Sequence, residues 1–211
     1  DYTVLNRFVN SGGGSLSRQI ALNGTVNSYV GSTTGPRGGN IWFYNAGGIL
    51  IGATGVINVG SLVLTTNNVS TSGTTISFNG TTDSTSAITV NGAINANKVG
   101  NPGGSYVALV APRIVQAGAV RVDGSAAYVA AEQVDIRINS GLFDINVIRG
   151  AVGGNAITHT GTTTGPGHQD GDTDQNRIYM VAIPKNDAVT MLVSGTIGYD
   201  DAVSATEVDG G

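Results

Sequence analysis

The sequence predicts an all-β protein wound as a right-handed parallel β-helix, and three observations predict it. Only 11% of the 211 residues are Asp, Glu, Lys or Arg, against about a quarter in an average soluble domain, so the charges that solvate outward helix faces are missing. Glycine supplies 33 residues, and the rest is rich in Thr, Asn, Val and Ile, all poor helix formers. The third observation is a repeating corner: glycine, a small or β-branched residue, then Ile or Val. It recurs as Gly24-Thr25-Val26, Gly55-Val56-Ile57, Gly92-Ala93-Ile94, Gly118-Ala119-Val120 and Gly195-Thr196-Ile197. The spacing is too irregular for propeller blades and suits coils of roughly 20 to 25 residues that carry insertions.

Between the corners lie apolar runs of strand length, at residues 3–9, 20–30, 40–44, 49–52, 60–64, 75–78 and 87–90 in the first half. The second half continues with 106–111, 119–122, 126–131, 134–138, 142–148, 178–183 and 188–193. None carries a 3.6-residue amphipathic pattern over three turns. Asn23-Gly24, Asn79-Gly80 and Asn91-Gly92 read as tight turns. In a parallel β-helix each strand pairs with its equivalent one coil away, about 4.8 Å distant, so like side chains stack in ladders. Ile and Val fill such a ladder inside, Asn and Thr serve its corners, and glycine takes the backbone positions a Cβ would block. Alternation along residues 40–44 puts Phe43 on the face opposite Trp42 and Tyr44. An antiparallel sandwich is the competing architecture.

Two stretches carry a family resemblance. The first runs Gly38-Gly39-Asn40-Ile41-Trp42-Phe43-Tyr44-Asn45-Ala46-Gly47-Gly48-Ile49-Leu50-Ile51-Gly52 and ends in Val59-Gly60-Ser61-Leu62-Val63-Leu64-Thr65-Thr66. The second is Tyr106-Val107-Ala108-Leu109-Val110-Ala111 with the turn Gly118-Ala119-Val120, and Leu5-Asn6-Arg7-Phe8 lies upstream of both. Together they resemble the filamentous-haemagglutinin-type secretion domain, over residues 3–138. The family's Asn-Pro-Asn-Gly-Ile turn is reduced here to Asn45-Ala46-Gly47-Gly48-Ile49, so Asn45, Gly48 and Ile49 match position by position while the Pro and the second Asn are absent.

The resemblance implies two-partner secretion in a Gram-negative bacterium. Such a domain forms the N-terminal part of a large adhesin-like exoprotein at the cell surface or in the medium. Its partner is an outer-membrane transporter whose periplasmic domains recognise it, and its folding outside nucleates the rest of the β-helix. Asn6, Arg7, Asn45, Gly48 and Ile49 are then the secretion-motif residues. A host or surface receptor and self-stacking complete the expected partners. Residues 1–211 form one domain, with an N-terminal cap, small extruded hairpins and a loop-rich insertion at 150–177. The start at Asp1 reads as that of a mature or excised piece, and the strand and turn at 194–199 as an uncapped edge that invites pairing.

Other chemistry is weakly signalled. A net charge of -4 with ten scattered basic residues offers no phosphate-binding stripe, which argues against nucleic acid. Cysteine is absent, so there is neither a disulfide frame nor a thiolate metal site. Asp170, Asp172 and Asp174 alternate like the start of a Ca²⁺ loop, but Gln175 and Val181 stand where such a loop needs Gly and Glu, so no cofactor is expected. His159 and His168 fall in a Gly/Thr-rich stretch read as exposed loop, without a nucleophile elbow. Arg121, Asp123, Glu132, Asp135 and Arg137 are the residues a Ca²⁺-dependent polysaccharide enzyme would use; a solvent-facing ion-pair patch is the simpler reading. A non-enzymatic protein is expected, with a self-assembling fibre subunit and that enzyme as alternatives.

Overall fold

A computed structural model describes residues 2–101, 103–139, 141–167, 176–185 and 191–201. The described chain is all-β, without helix, and most of its strand pairing is parallel, as a β-helical arrangement requires. The chain visits three sheets in a fixed order. β1 (Thr3–Arg7), β2 (Ile20–Leu22) and β3 (Thr25–Asn27) make the first circuit. β4 (Asn40–Tyr44), β5 (Ile49–Ile51) and β6 (Val56–Val59) make the second. The third starts with β7 (Ser61–Thr65), detours through the hairpin β8 (Asn68–Ser72) and β9 (Thr75–Asn79), and resumes at β10 (Ala87–Val90) and β11 (Ala93–Ala96). β12 (Ser105–Ala111), β13 (Arg113–Gln116) and β14 (Ala119–Val122) follow. The fifth circuit has β15 (Gly124–Asn139), which turns outward into β16 (Leu142–Gly150), then β17 (Ile157–His159) and β18 (Thr162–Thr164). β19 (Ile178–Ala182), β20 (Met191–Val193) and β21 (Thr196–Ile197) close the described chain.

Within each sheet, every strand pairs in parallel with its counterparts in the neighbouring circuits. Sheet 1 holds β1, β4, β7, β12, β15 and β19; sheet 2 holds β2, β5, β10, β13, β17 and β20; sheet 3 holds β3, β6, β11, β14, β18 and β21. The register stacks identical residues. Ile20, Ile49, Ile88, Ile114 and Ile157 are successive partners down sheet 2, and the last four are fully buried. On the outer face of sheet 3, Asn58 donates to Asn27 and Asn95 donates to Asn58, each at 2.9 Å.

All five predicted corners are first turns into sheet 3, and a sixth, Gly161-Thr162-Thr163, lies in the region read as an insertion. Thr163 takes the place of Val or Ile there, which removes the apolar signal. A Cβ on Gly118 would lie 2.1 Å from the carbonyl oxygen of Gly92, and one on Gly92 would lie 2.2 Å from that of Gly55. The same carbonyls accept the next residue's N–H, Ala119 to Gly92 and Ala93 to Gly55, at 2.9 Å. Glycine is required because backbone approaches backbone.

Two cores result. Inside the three sheets, Phe43 joins Ile49, Leu64, Ile94, Leu109 and Tyr128. On the outer face of sheet 1, Trp42, Val63, Tyr106 and Val129 are covered by Val69, Phe78, Val134 and Phe143. Trp42 and Phe43 therefore point to opposite sides, as alternation requires. The cover is an antiparallel sheet ordered β8, β9, β15, β16. The runs 126–131 and 134–138 are one strand, β15, whose first half belongs to sheet 1 and whose second half joins this cover.

Several expectations need correction. His159 is fully buried in β17 rather than in an exposed loop, and β17 and β18 place part of 150–177 in the repeating sheets. Asn23-Gly24 and Asn91-Gly92 lie at the bends between sheet 2 and sheet 3, while the hairpin turn between β8 and β9 is Gly73-Thr74, with Gly73 at φ 58°.

Gly118→Ala is expected to destabilise the protein by about 1–3 kcal/mol, because the obstacle is backbone. Gly24→Ala, with nothing within 4 Å of its added Cβ, should change stability by less than about 0.5 kcal/mol. Urea unfolding of the two variants makes the comparison. A second expectation concerns alkali. Burial pushes the Tyr106 hydroxyl up to about 12, opposed by the hydrogen bond from the Trp42 indole. An unfolded tyrosine loses its proton near pH ~10, so this stabilisation is complete below that pH and is lost as pH rises towards 12. Unfolding free energy measured from pH 9 to 12 should fall, and Tyr106→Phe should flatten part of the fall.

Candidate partner-recognition site

The turn after β4 joins three circuits. Asn45 is fully buried; its N–H donates to the Thr65 carbonyl at 3.1 Å, and its carbonyl accepts the Gly48 N–H at 3.1 Å. The Asn45 side-chain amide donates to Gly48 O at 2.7 Å and to Arg18 O at 2.8 Å, in the loop before β2. Ser86, ahead of β10, donates to Ala46 O at 2.7 Å. Gly48 has φ 107°, a conformation that a side chain would strain, and a Cβ on Gly47 would lie 2.4 Å from the Arg18 carbonyl oxygen. Ile49 is the second member of the isoleucine ladder, stacked between Ile20 and Ile88. Asn45 and Ile49 are therefore closed to any partner that meets the folded protein.

Asn6 and Arg7 behave differently. Asn6 sits half-buried above Phe43, its register partner, and donates to the Trp42 carbonyl at 3.2 Å. Arg7 is exposed. Its guanidinium lies 5.4 Å from the centre of the Tyr44 ring and donates to Asn68 Oδ1 and the Val69 carbonyl. It thereby joins the first circuit to the foot of the β8–β9 hairpin.

Beside Asn6 opens a basin of about 600 Å³ at the first-circuit end of the inner core. Val4, Val26, Ile41 and Phe43 line it, with Tyr2 and Tyr29 among its walls. Phe8 closes the neighbouring part by stacking on Phe43, with ring centres 6.4 Å apart. Sequence reasoning missed the basin; Val4, an inward position in the first strand of the described chain, is the signal that could have found it.

The five residues weighed for an enzyme do not converge. Arg121 pairs with Asp200 at 2.7 Å, Asp123 accepts the Gly103 N–H at 3.1 Å, and Asp135 accepts the Ser77 hydroxyl at 2.6 Å. Arg137 faces Asp144 across the strands at 3.7 Å, the cross-strand pairing expected of a solvent-facing patch. Glu132 is fully buried; Arg149 Nε lies 2.7 Å from its carboxylate and Lys185 Nζ 3.5 Å from it, while Asp83 donates its backbone N–H at 2.8 Å. His159 is sealed. Assigning its Nδ1 proton toward the Ser194 carbonyl at 2.9 Å leaves Nε2 to accept from Thr163 at 2.8 Å, and Tyr128 then donates to Thr163 at 2.6 Å. Asp170, Asp172, Asp174 and His168 lie outside the described residues, among which no cluster of three or more His, Cys, Asp or Glu could hold a metal. No helix in the described chain is long and apolar enough to cross a membrane.

A scan against protein-family models finds no match, and a search of curated proteins returns none.

Asn45→Ala should destabilise the fold by about 1–3 kcal/mol, since the side-chain amide of this fully buried residue is the donor to the carbonyls of Arg18 and Gly48. Arg7→Ala should change stability by about 1 kcal/mol or less, its bonds being exposed to water. Thermal or urea denaturation separates them.

Proposed function

We propose that this chain is a right-handed parallel β-helix serving as the secretion domain of a large Gram-negative exoprotein of the two-partner type, without catalytic activity of its own. An outer-membrane transporter recognises it through periplasmic domains, and it nucleates β-helix folding outside the cell. The observation that carries this reading is the burial of the motif turn at Asn45, Gly48 and Ile49. Asn45 and Ile49 are fully enclosed once the circuits close, so a partner that reads them must do so before folding, as a transporter that threads an unfolded chain would. The ordered pairing of each circuit with the one before supports the same reading, because such a fold grows from one end.

The test is a capture experiment with the periplasmic domains of the transporter encoded beside the gene. The full chain diluted from urea is retained on them, and the folded chain is not. Replacing Asn6 and Arg7 together by Ala lowers retention at least tenfold. Equal retention of folded and unfolded chain, no effect of the replacement, or no such neighbouring transporter overturns the proposal.

One observation favours a second reading, a self-assembling fibre subunit. Met191, Leu192, Val193 and Ile197 of the sixth circuit are 40–56% exposed, and β19, β20 and β21 each pair on one side only among the described residues. Sedimentation of the folded chain distinguishes them: concentration-dependent end-to-end growth supports the fibre, and a monomer at all concentrations eliminates it.

A further inference from the structure

Beside β13, away from the first-circuit end, lies a hollow of about 240 Å³ between two loops, one leading into β10 and the other into β17. Ser84 and Thr85 line one side, Val152, Gly153, Gly154 and Ala156 another, and Pro112 and Arg113 belong to the intervening circuit. We propose that this hollow binds the carboxylate of a small acidic sugar, a site independent of the export reading.

The first argument is charge. Arg113 projects from the outer face of sheet 2, next to the inward Ile114, and among the described residues its guanidinium has no hydrogen-bond or ion-pair partner. No carboxylate lines the hollow. The nearest acidic residue in sequence, Asp83, is held by Lys185 at 2.6 Å, and Glu132 by Arg149 and Lys185. Two negative and two positive charges cancel, and Arg113 leaves one positive charge over in a chain whose net charge is -4.

Donor supply is the second. The amides of Gly153 and Gly154 donate to no backbone acceptor among the described residues, and the Thr85 hydroxyl is without a partner there. Gly153 has φ 83°, which gives the loop a turn that an L side chain would strain. A guanidinium fork with neighbouring N–H and O–H donors suits a planar, singly charged carboxylate, whereas a doubly charged phosphate would call for more cations. Size and lining give the body of the ligand. The volume lies below the roughly 300–1,000 Å³ of drug-sized pockets, enough for one compact unit, and Pro112, Val152 and Ala156 offer an apolar floor to the C–H face of a sugar ring.

The experiment is an NMR titration of the full chain at low salt with D-glucuronate, D-glucose and acetate. Glucuronate is expected to shift the Gly153 and Gly154 amides saturably, with acetate at least fivefold weaker and glucose inactive. Arg113→Gln should weaken glucuronate at least tenfold, while Arg113→Lys, which keeps the charge and loses the fork, falls between. Arg113 is exposed, so an otherwise unchanged amide spectrum establishes that each variant is folded. Glucose binding as well as glucuronate, acetate binding as tightly, an unaffected Arg113→Gln, or no shift at Gly153 and Gly154 overturns the proposal.

Discussion

The structure depends on one close approach, repeated at the corners into sheet 3 from Gly92 onward. At Gly92, Gly118, Gly161 and Gly195 the space a Cβ would fill is taken by the carbonyl oxygen of the corner glycine one circuit earlier, and the following amide donates to that same oxygen. The contact fixes both the separation of circuits and their register. Once Gly55, Gly92, Gly118 and Gly161 are aligned, the residues two positions on, Ile57, Ile94, Val120 and Thr163, must fall into one inward column. A slip of one residue in any circuit would set a Cβ against a backbone oxygen and turn its apolar side chains outward.

That constraint explains the composition. A chain that buries one face of most of its strands and also covers the second face of sheet 1 has little surface left for charge. Its exposed faces take other solutions, such as the amide ladder of Asn27, Asn58 and Asn95, which pair with one another rather than with water alone. Charge that is present does structural work where the regular pattern is interrupted. Glu132 lies where β15 leaves sheet 1 for the antiparallel cover, and its carboxylate gathers the loop at Asp83, the strand β16 and the chain at Lys185. A buried carboxylate is tolerated there because cations and a backbone amide surround it.

What could be read from the sequence follows the range of each signal. The glycine corners and the alternation of Trp42 and Phe43 are local, and both were legible. The cover was legible only as strands, because nothing near residues 75–79 says that they pair with 133–137. His159 was misplaced for a chemical reason. Down sheet 2 it succeeds Leu22, Ile51, Val90 and Gln116 in one column, so its position is a core position, but its polarity reads as surface until the Ser194 carbonyl and the Thr163 hydroxyl are seen to satisfy it. The motif turn was found by resemblance, while its role as a tie between Arg18, Thr65 and Ser86 needed three separate circuits to be in place.

The same geometry orders folding events. Each inner column can close when one more circuit arrives, since its contacts are with the circuit before. The outer core cannot. Trp42 and Val63 belong to the second and third circuits, yet Val134 and Phe143, which help to cover them, arrive only with the fifth. The β8–β9 hairpin supplies part of the cover earlier, but its outer strand pairing is completed by β15. A chain that emerges N-terminus first therefore holds an aromatic face open across several circuits and closes it in one step. Closure links residues 68–79 to 131–150 and, through Lys185, to the chain ahead of β20. Growth along the inner columns is thus gradual, and commitment of the outer face is cooperative.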